Sequence, residues 1–308
     1  MKISSFSRFG SALLFSSLLL TSVIHANDAE SNDHQAWLKS IEEAWAEEDS
    51  EFKNSPTSPL AGTSRFEIGE TGSVFFAENE GQLGWSLEQG DHPVFLLARN
   101  GNQWEWTGQG ADVGLYREDK EMPSGSALSA GDTSKAGRFT VEFYPSAELI
   151  TVLVFDPDTQ RLKEFKTLDR FEANPKFAVD AKMVRFETPE QQELITARKQ
   201  FKKQFRYAKL HFEIDGTELE LTAYKHALEG EGSNILFVPF SDKTNGRYSY
   251  GGGRYLIVEE PEEGDEILID FNLVTNPLCS YATIYNCIVP TTENRLRIAI
   301  EAGVKKYH

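Results

Sequence analysis

Cysteine, histidine and long apolar runs are scarce in this chain, and its basic residues are outnumbered. Two cysteines and six histidines stand among 308 residues, with 31 Lys and Arg against 48 Asp and Glu, a formal net charge of −17. Two thiols are too few for a structural zinc. His34, His92, His211, His226 and His308 fall in no His-x-His or His-Glu-x-x-His spacing, and Asp156-Pro-Asp158 lacks the rest of an EF-hand loop. No Gly-x-Ser-x-Gly elbow marks a serine nucleophile. The sequence therefore points to no metal and no cofactor. The excess of carboxylates repels phosphate, which argues against nucleic acid and, by the same reasoning, against an anionic lipid surface.

The apolar run from Ala12 to Ile24 carries Ser16, Ser17, Thr21 and Ser22 and is about 13 residues long, short of the roughly 20 needed to span a bilayer. With Lys2 and Arg8 before it and Ala26 after it, residues 1–26 read as an export leader cleaved after Ala26. The expectation is an exported protein, periplasmic or extracellular, without stable membrane insertion. In that oxidising setting Cys279 and Cys287, eight positions apart, read first as a disulfide, with a functional thiol pair as the alternative.

What the chain has in quantity is β patterning. Asp33 to Lys53 repeats Trp37, Ile41, Trp45 and Phe52 at helical spacing, with Asp33 as N-cap, and Asn54-Ser-Pro56 ends it. Residues 27–62 are thus an amphipathic helix and linker. Short apolar runs between glycines then predict a first β-rich unit over 63–168, ending in a strand over Arg161 to Leu168. Within it Trp104 and Trp106 share one face of a strand, as core or as a sugar-stacking pair. Glu118 to Gly137 is polar and reads as a long mobile loop.

A second β-rich unit spans 169–308. It opens on an alternating strand over Phe177 to Phe186 and continues with a helix over Glu190 to Phe205, whose basic end suits a helix dipole. Asp215-Gly216 marks a hairpin, and Arg295 to Ile300 a last strand. The expected fold is mainly β: two β-rich units, sandwich or small barrel, with an N-terminal amphipathic helix and one further helix.

The stretch that stands apart is Pro239 to Leu256, with four glycines, three tyrosines and two arginines in eighteen residues between strand-like runs. Gly251-Gly-Gly253 leads into a strand, where a Walker loop or a Rossmann turn would lead into a helix, so neither nucleotide motif is present. A sharp turn into the strand needing positive φ explains the glycines.

Pro239, Phe240, Asp242, Thr244, Gly246, Tyr250, Gly251, Gly253 and Arg254, followed by Asp270-Phe-Asn272, Asn276-Pro-Leu-Cys279, Cys287, Glu293-Asn-Arg-Leu296 and Ala302-Gly303, resemble the bacterial domain-of-unknown-function family numbered sixteen eighty-four. The chain departs from that pattern at Val304, where the family carries Glu, and at Thr275, where an aromatic is usual. The resemblance implies a family and no activity.

Three readings of the cluster stand side by side. In the first it is architecture, with Arg254 and Asp270 paired and buried to fix the corner. In the second it binds a small polar ligand. Arg247 and Arg254 grip, Tyr248 and Tyr250 wall the site, and Asp242, Lys243, Thr244 and Asn272 complete the hydrogen bonding. In the third Asp242 and Asp270 serve as acid and base of a metal-independent hydrolase. The expected function is an exported binding or accessory protein for a small polar or envelope-derived ligand.

Overall fold

The computed structural model describes residues 23–69, 72–90, 92–110 and 112–307, so residues 1–22 of the expected leader lie outside the described residues. The first element is a helix, α1 (Val23–Asn54), which runs through Asp33 where the sequence suggested a cap. The described chain then forms two compact units, one over Glu51–Phe165 and one combining the helix up to Ser50 with the chain from Lys166 onward.

The first unit contains β1 (Gly62–Ile68), β2 (Ser73–Asn79), β3 (Gln82–Ser86), β4 (Pro93–Asn100), β5 (Gln103–Gly108), β6 (Val113–Arg117), β7 (Lys120–Met122), β8 (Ser126–Ala127), β9 (Asp132–Ala136), β10 (Phe139–Pro145), β11 (Ile150–Phe155) and the short α2 (Gln160–Glu164). They build two antiparallel sheets, in the orders β1-β11-β10-β9-β6-β7 and β3-β2-β4-β5-β8. Alternation explains the layering: Phe139, Val141 and Phe143 of β10 point inward, as do Phe95 and Leu97 of β4, and all belong to one core. Trp104 and Trp106 of β5 are buried in it, which assigns the pair to packing.

Two expectations fail here. Arg161 to Leu168 is not a strand; it holds most of α2 and irregular backbone. The polar stretch 118–137 is not a loose loop but carries β7, β8 and all of β9, paired to β5, β6 and β10. One buried carboxylate reinforces these ladders. Asp132 accepts a two-pronged pairing from Arg117 at 2.8 and 2.7 Å and the Ser129 N–H at 2.8 Å, which pins the turn despite its polar composition.

The second unit is a curled antiparallel sheet made of β12 (Ala178–Ile195), β13 (Phe201–Ile214), β14 (Thr217–Lys225), β15 (Ile235–Phe240), β16 (Arg254–Glu259) and β17 (Glu266–Asp270), in the order β16-β15-β14-β13-β12-β17. Leu256 of one edge strand and Ile267 and Ile269 of the other lie in the same core, so the sheet wraps around it. Asp215-Gly216 forms the expected tight turn, with φ +51° and +73°.

Glu190 to Phe205 is not a helix. Glu190 to Ile195 pairs with Phe201 to Arg206, and Thr196 closes the turn by bonding Gln200 through its hydroxyl. Leu194 and Thr196 are buried while Ile195 is exposed, a period of two that the apolar positions alone did not reveal. Arg295 to Ile300 is likewise not a strand, although Arg295 bridges Ser241.

The ladder between β14 and β15 contains a single pair, Tyr224 with Phe237. Pro239 has no N–H to donate across it. The side chain of Asn294 fills the gap: its Oδ1 accepts the Thr222 N–H at 2.7 Å, and its Nδ2 donates to the carbonyls of Thr222 and Pro239, both at 2.8 Å. An amide side chain stands here for a missing length of strand, fully buried. Beside it Glu293 meets Arg206 at 3.1 Å and the Tyr224 hydroxyl at 2.9 Å. Burial opposes its charge, but these donors prevail and hold the carboxyl down at about 2.

Replacing Asn294 with Ala is expected to leave three buried backbone groups unpaired and to cost about 3 kcal/mol or more at roughly 1–3 kcal/mol each. Equilibrium urea unfolding beside the wild type measures it; a loss under about 1 kcal/mol would show that the side chain does not bridge the ladder.

Candidate functional site

The stretch singled out in the sequence joins β15 to β16. At its centre Arg254, the first residue of β16, is fully buried and pairs with Asp242 at 2.8 Å. The same guanidinium donates to the carbonyl of Ile300 at 2.7 Å and to that of Ala302. Its plane lies 5.5 Å from the Phe240 ring centre and 6.0 Å from that of Phe171. Burial lowers the guanidinium pKa, and the Asp242 charge opposes that shift.

Asp242 is equally occupied. Its second oxygen accepts the backbone N–H of Thr244 at 2.7 Å and that of Ile300 at 3.3 Å. One ion pair thus ties the loop to the C-terminal segment. The expected partner of Arg254 was Asp270; the structure gives it Asp242, because the loop carries that carboxylate back beneath the start of β16.

The rest of the loop satisfies itself. Asn245 accepts the Asp242 N–H at 2.5 Å and donates to the Tyr250 carbonyl at 2.7 Å, and the Thr244 and Ser249 hydroxyls share a hydrogen bond at 2.6 Å. Gly253 has φ +91°, and a Cβ there would stand 2.4 Å from a Pro290 carbon and 2.7 Å from the Phe240 carbonyl oxygen. Gly303 has φ +71° and would set a Cβ 2.3 Å from Val274. Only glycine meets both demands at these two positions.

Asp270 belongs to a different device. Its Oδ1 accepts the backbone and side-chain N–H groups of Asn272, both at 2.8 Å, and its Oδ2 accepts the Trp37 indole N–H at 2.9 Å. The Trp45 indole donates to the Asn272 carbonyl at 2.9 Å. Asn272 further bonds the N–H and carbonyl of Asn174 at 2.9 and 3.0 Å. The turn after β17 is therefore the dock for α1. Arg170, which no sequence pattern marked, locks the helix with contacts to Glu48 at 2.7 Å and Asp49 at 2.9 Å.

The candidate binding residues divide. Asp242, Thr244, Arg254 and Asn272 are buried and committed to the fold. Lys243, Arg247 and Tyr248 face solvent, with the Arg247 guanidinium 4.8 Å from the Tyr248 ring centre. Tyr250 lies half-buried, its hydroxyl 3.7 Å from the sulfur of Cys279. Among the described residues no three imidazole, thiol or carboxylate groups converge to hold a metal ion.

The expected disulfide is absent: Cys279 and Cys287 are free thiols. They are nonetheless neighbours, since the Cys279 N–H donates to the Cys287 sulfur at 3.1 Å, which places that sulfur over the Cys279 backbone. The Cys287 thiol donating to Cys279, aided by the Tyr250 hydroxyl, brings the Cys279 thiol down to about 7, while Cys287 is pushed up. Burial first, and then the neighbouring Cys279, pushes the Tyr250 hydroxyl up to about 12.

Two measurements follow. Asp242→Asn is expected to lower unfolding free energy by roughly 3–5 kcal/mol, because it strands a buried guanidinium; a variant as stable as wild type in chemical denaturation removes the ion pair from the fold. Alkylation of the two thiols, mapped by peptide mass, is expected to reach half its limiting rate near pH 7 at Cys279, with more thiolate above that pH and less below. Cys287 should lag throughout, and equal rates at both sulfurs would contradict the assignment.

Residues 163–305 match the profile of the family described as "Protein of unknown function (DUF1684)". No curated protein matches the chain. A solution NMR structure of an uncharacterized protein of Haloarcula marismortui is similar to it at 36% sequence identity, over 49% of this chain and 82% of that one, with a TM-score of 0.41. Through residues 163–305, the chain belongs to the DUF1684 family of proteins of unknown function.

Proposed function

We propose that this is an exported binding or accessory protein for a small polar or envelope-derived ligand, and that the motif loop serves as the rigid mount of the ligand-facing groups. The observation that carries the reading is how the loop shares out its residues. The loop's one carboxylate, Asp242, is consumed by Arg254, and Asp270 at the end of β17 is consumed separately by Trp37 and Asn272. Its cationic and aromatic groups, Lys243, Arg247 and Tyr248, remain exposed on a backbone that Thr244, Asn245 and Ser249 hold in place.

A guanidinium beside an aromatic face suits a carboxylate or hydroxyl-rich ligand. The hydrolase reading needs two carboxylates facing one substrate with at least one free to exchange a proton. Neither aspartate is free in that sense, and no observation favours that reading. Export accords with the basic start and apolar run ahead of α1 and with the acidic surface.

Isothermal titration with a panel of anionic sugars and cell-wall fragments tests the proposal. Arg247→Gln and Tyr248→Ala should each weaken binding about tenfold or more, with melting temperature unchanged. Binding that survives both changes moves the site elsewhere, and a hydrolytic activity lost in a stably folded Asp270→Asn protein overturns the reading.

A further inference from the structure

The tip of the β12–β13 hairpin combines two features that are rare on this molecule. First, it projects. Phe205 is the last residue of β13 paired with β14, and Phe201 to Gln204 pair only with β12, so the hairpin reaches on the order of 14 Å past its neighbour. Its free edge is closed by a loop rather than a strand. Ala197 N–H donates to the Cys287 carbonyl at 2.8 Å, and Val289 N–H donates to the Ile195 carbonyl at 2.9 Å.

Second, the outward face of this tip, three segments side by side, is apolar. Val289, Ile195 and Phe201 stand in one row across it, with 36%, 47% and 64% of their surfaces exposed, while Thr196 and Ile288 of the alternate register point inward and are buried. An exposed Phe flanked by two aliphatic side chains is a patch that water disfavours.

The charge around the row is mostly of one sign. Leu194 to Lys203 contains Arg198, Lys199, Lys202 and Lys203 and no acid, and Pro277 to Thr292, which supplies the closing loop, contains no charged residue at all. In a chain with 48 Asp and Glu this is a sizeable acid-free surface. Arg198 donates to the Thr283 carbonyl and Lys202 to the Asn286 carbonyl at 2.6 Å, contacts that fix these cations without neutralising them. Lys199 and Lys203 are exposed. The nearest acid along the hairpin is Glu193, opposite Lys203.

We propose that this tip docks the protein on a bilayer surface carrying anionic phospholipid. Phe201, Ile195 and Val289 enter the boundary between headgroups and acyl chains, and Arg198, Lys199 and Lys203 meet the phosphates. The shape favours this partner: a narrow convex projection fits an interface that yields to it, and long cationic side chains keep their heads among headgroups while their stems lie on the apolar row. The net charge of −17 does not prevent it. Beyond about 8 Å at physiological salt the acids elsewhere are largely screened, so the tip is governed by its own cations. Contact is peripheral and reversible, with no span inserted.

Co-sedimentation of the full chain with vesicles tests this, comparing phosphatidylcholine mixed with phosphatidylglycerol against phosphatidylcholine alone. The wild type should bind the mixed vesicles, bind the neutral ones far less, and dissociate as salt is raised. Each cation near an anionic surface contributes about a factor of five, so Lys199→Glu with Lys203→Glu should weaken binding at least about tenfold. Phe201→Ser should weaken it comparably, with melting temperature held in both proteins because these side chains are exposed. Arg247→Gln and Tyr248→Ala should bind vesicles as wild type does, which separates this site from the motif loop.

Absence of wild-type binding, equal binding by the tip variants, or equal binding to neutral vesicles overturns the proposal. So does concentration-dependent self-association without vesicles that Phe201→Ser abolishes, since the row would then belong to a second copy of the chain.

Discussion

The buried pair of Arg254 and Asp242 is the constraint on which the second unit depends. A guanidinium cannot be left in a core without partners, because desolvation costs far more than any packing gain returns. Here its two Nη atoms are satisfied by a carboxylate from the loop ahead of β16 and two carbonyls from the C-terminal segment, and two aromatic rings lie beside it, while its Nε is buried without a hydrogen-bond partner. Three pieces of chain distant in sequence therefore have one arrangement that satisfies the charge. The positive φ of Gly253 and Gly303 follows from the same requirement, since each lets the backbone pass where a side chain would collide with the structure the pair draws together.

The same logic of polar groups standing in for regular structure recurs around the sheet. Asn294 replaces the strand hydrogen bonds that Pro239 cannot make, and Asn272 with Asp270 turns the chain at the end of β17 while presenting acceptors to the two indoles of α1. The Asx-rich positions of this unit act as joints. They direct the chain through its long irregular C-terminal part, where few backbone groups have ladder partners and each buried one must still find an acceptor or donor.

How much of this was legible in the sequence depends on the range of the interaction. Strands with clean alternation, such as β4, β10 and the part of β13 from Arg206 to Ile214, and the Asp215-Gly216 turn, are local and readable. The β12–β13 hairpin was not: Leu194, Ile195, Phe201 and Phe205 fit a helical face, and only the long-range packing of Leu194 on Tyr224 and Ile288 decides for strand. The run 118–137 reads as a mobile loop because composition cannot distinguish the buried carboxylate of Asp132 from a solvated one. Within the candidate site the residue types were readable and their pairing was not. Asp242 and Asp270 are equivalent as letters, and which of them meets Arg254 is set by the turn geometry of the loop. Arg170, which locks α1, carried no local signal at all.

A cluster whose members are consumed by geometry marks how a chain folds rather than what it does. Glycine at 253 and 303, asparagine at 245, 272 and 294 and the Arg254–Asp242 pair each answer a structural demand that can be stated in distances, and none leaves a reactive group directed at solvent. The proposed function accordingly rests on positions the fold leaves free. On the motif loop those are Lys243, Arg247 and Tyr248, whose substitution costs the core nothing. Charge is unevenly distributed as well: in this acidic chain the tip of the β12–β13 hairpin, Leu194 to Lys203, carries four cations and no acid.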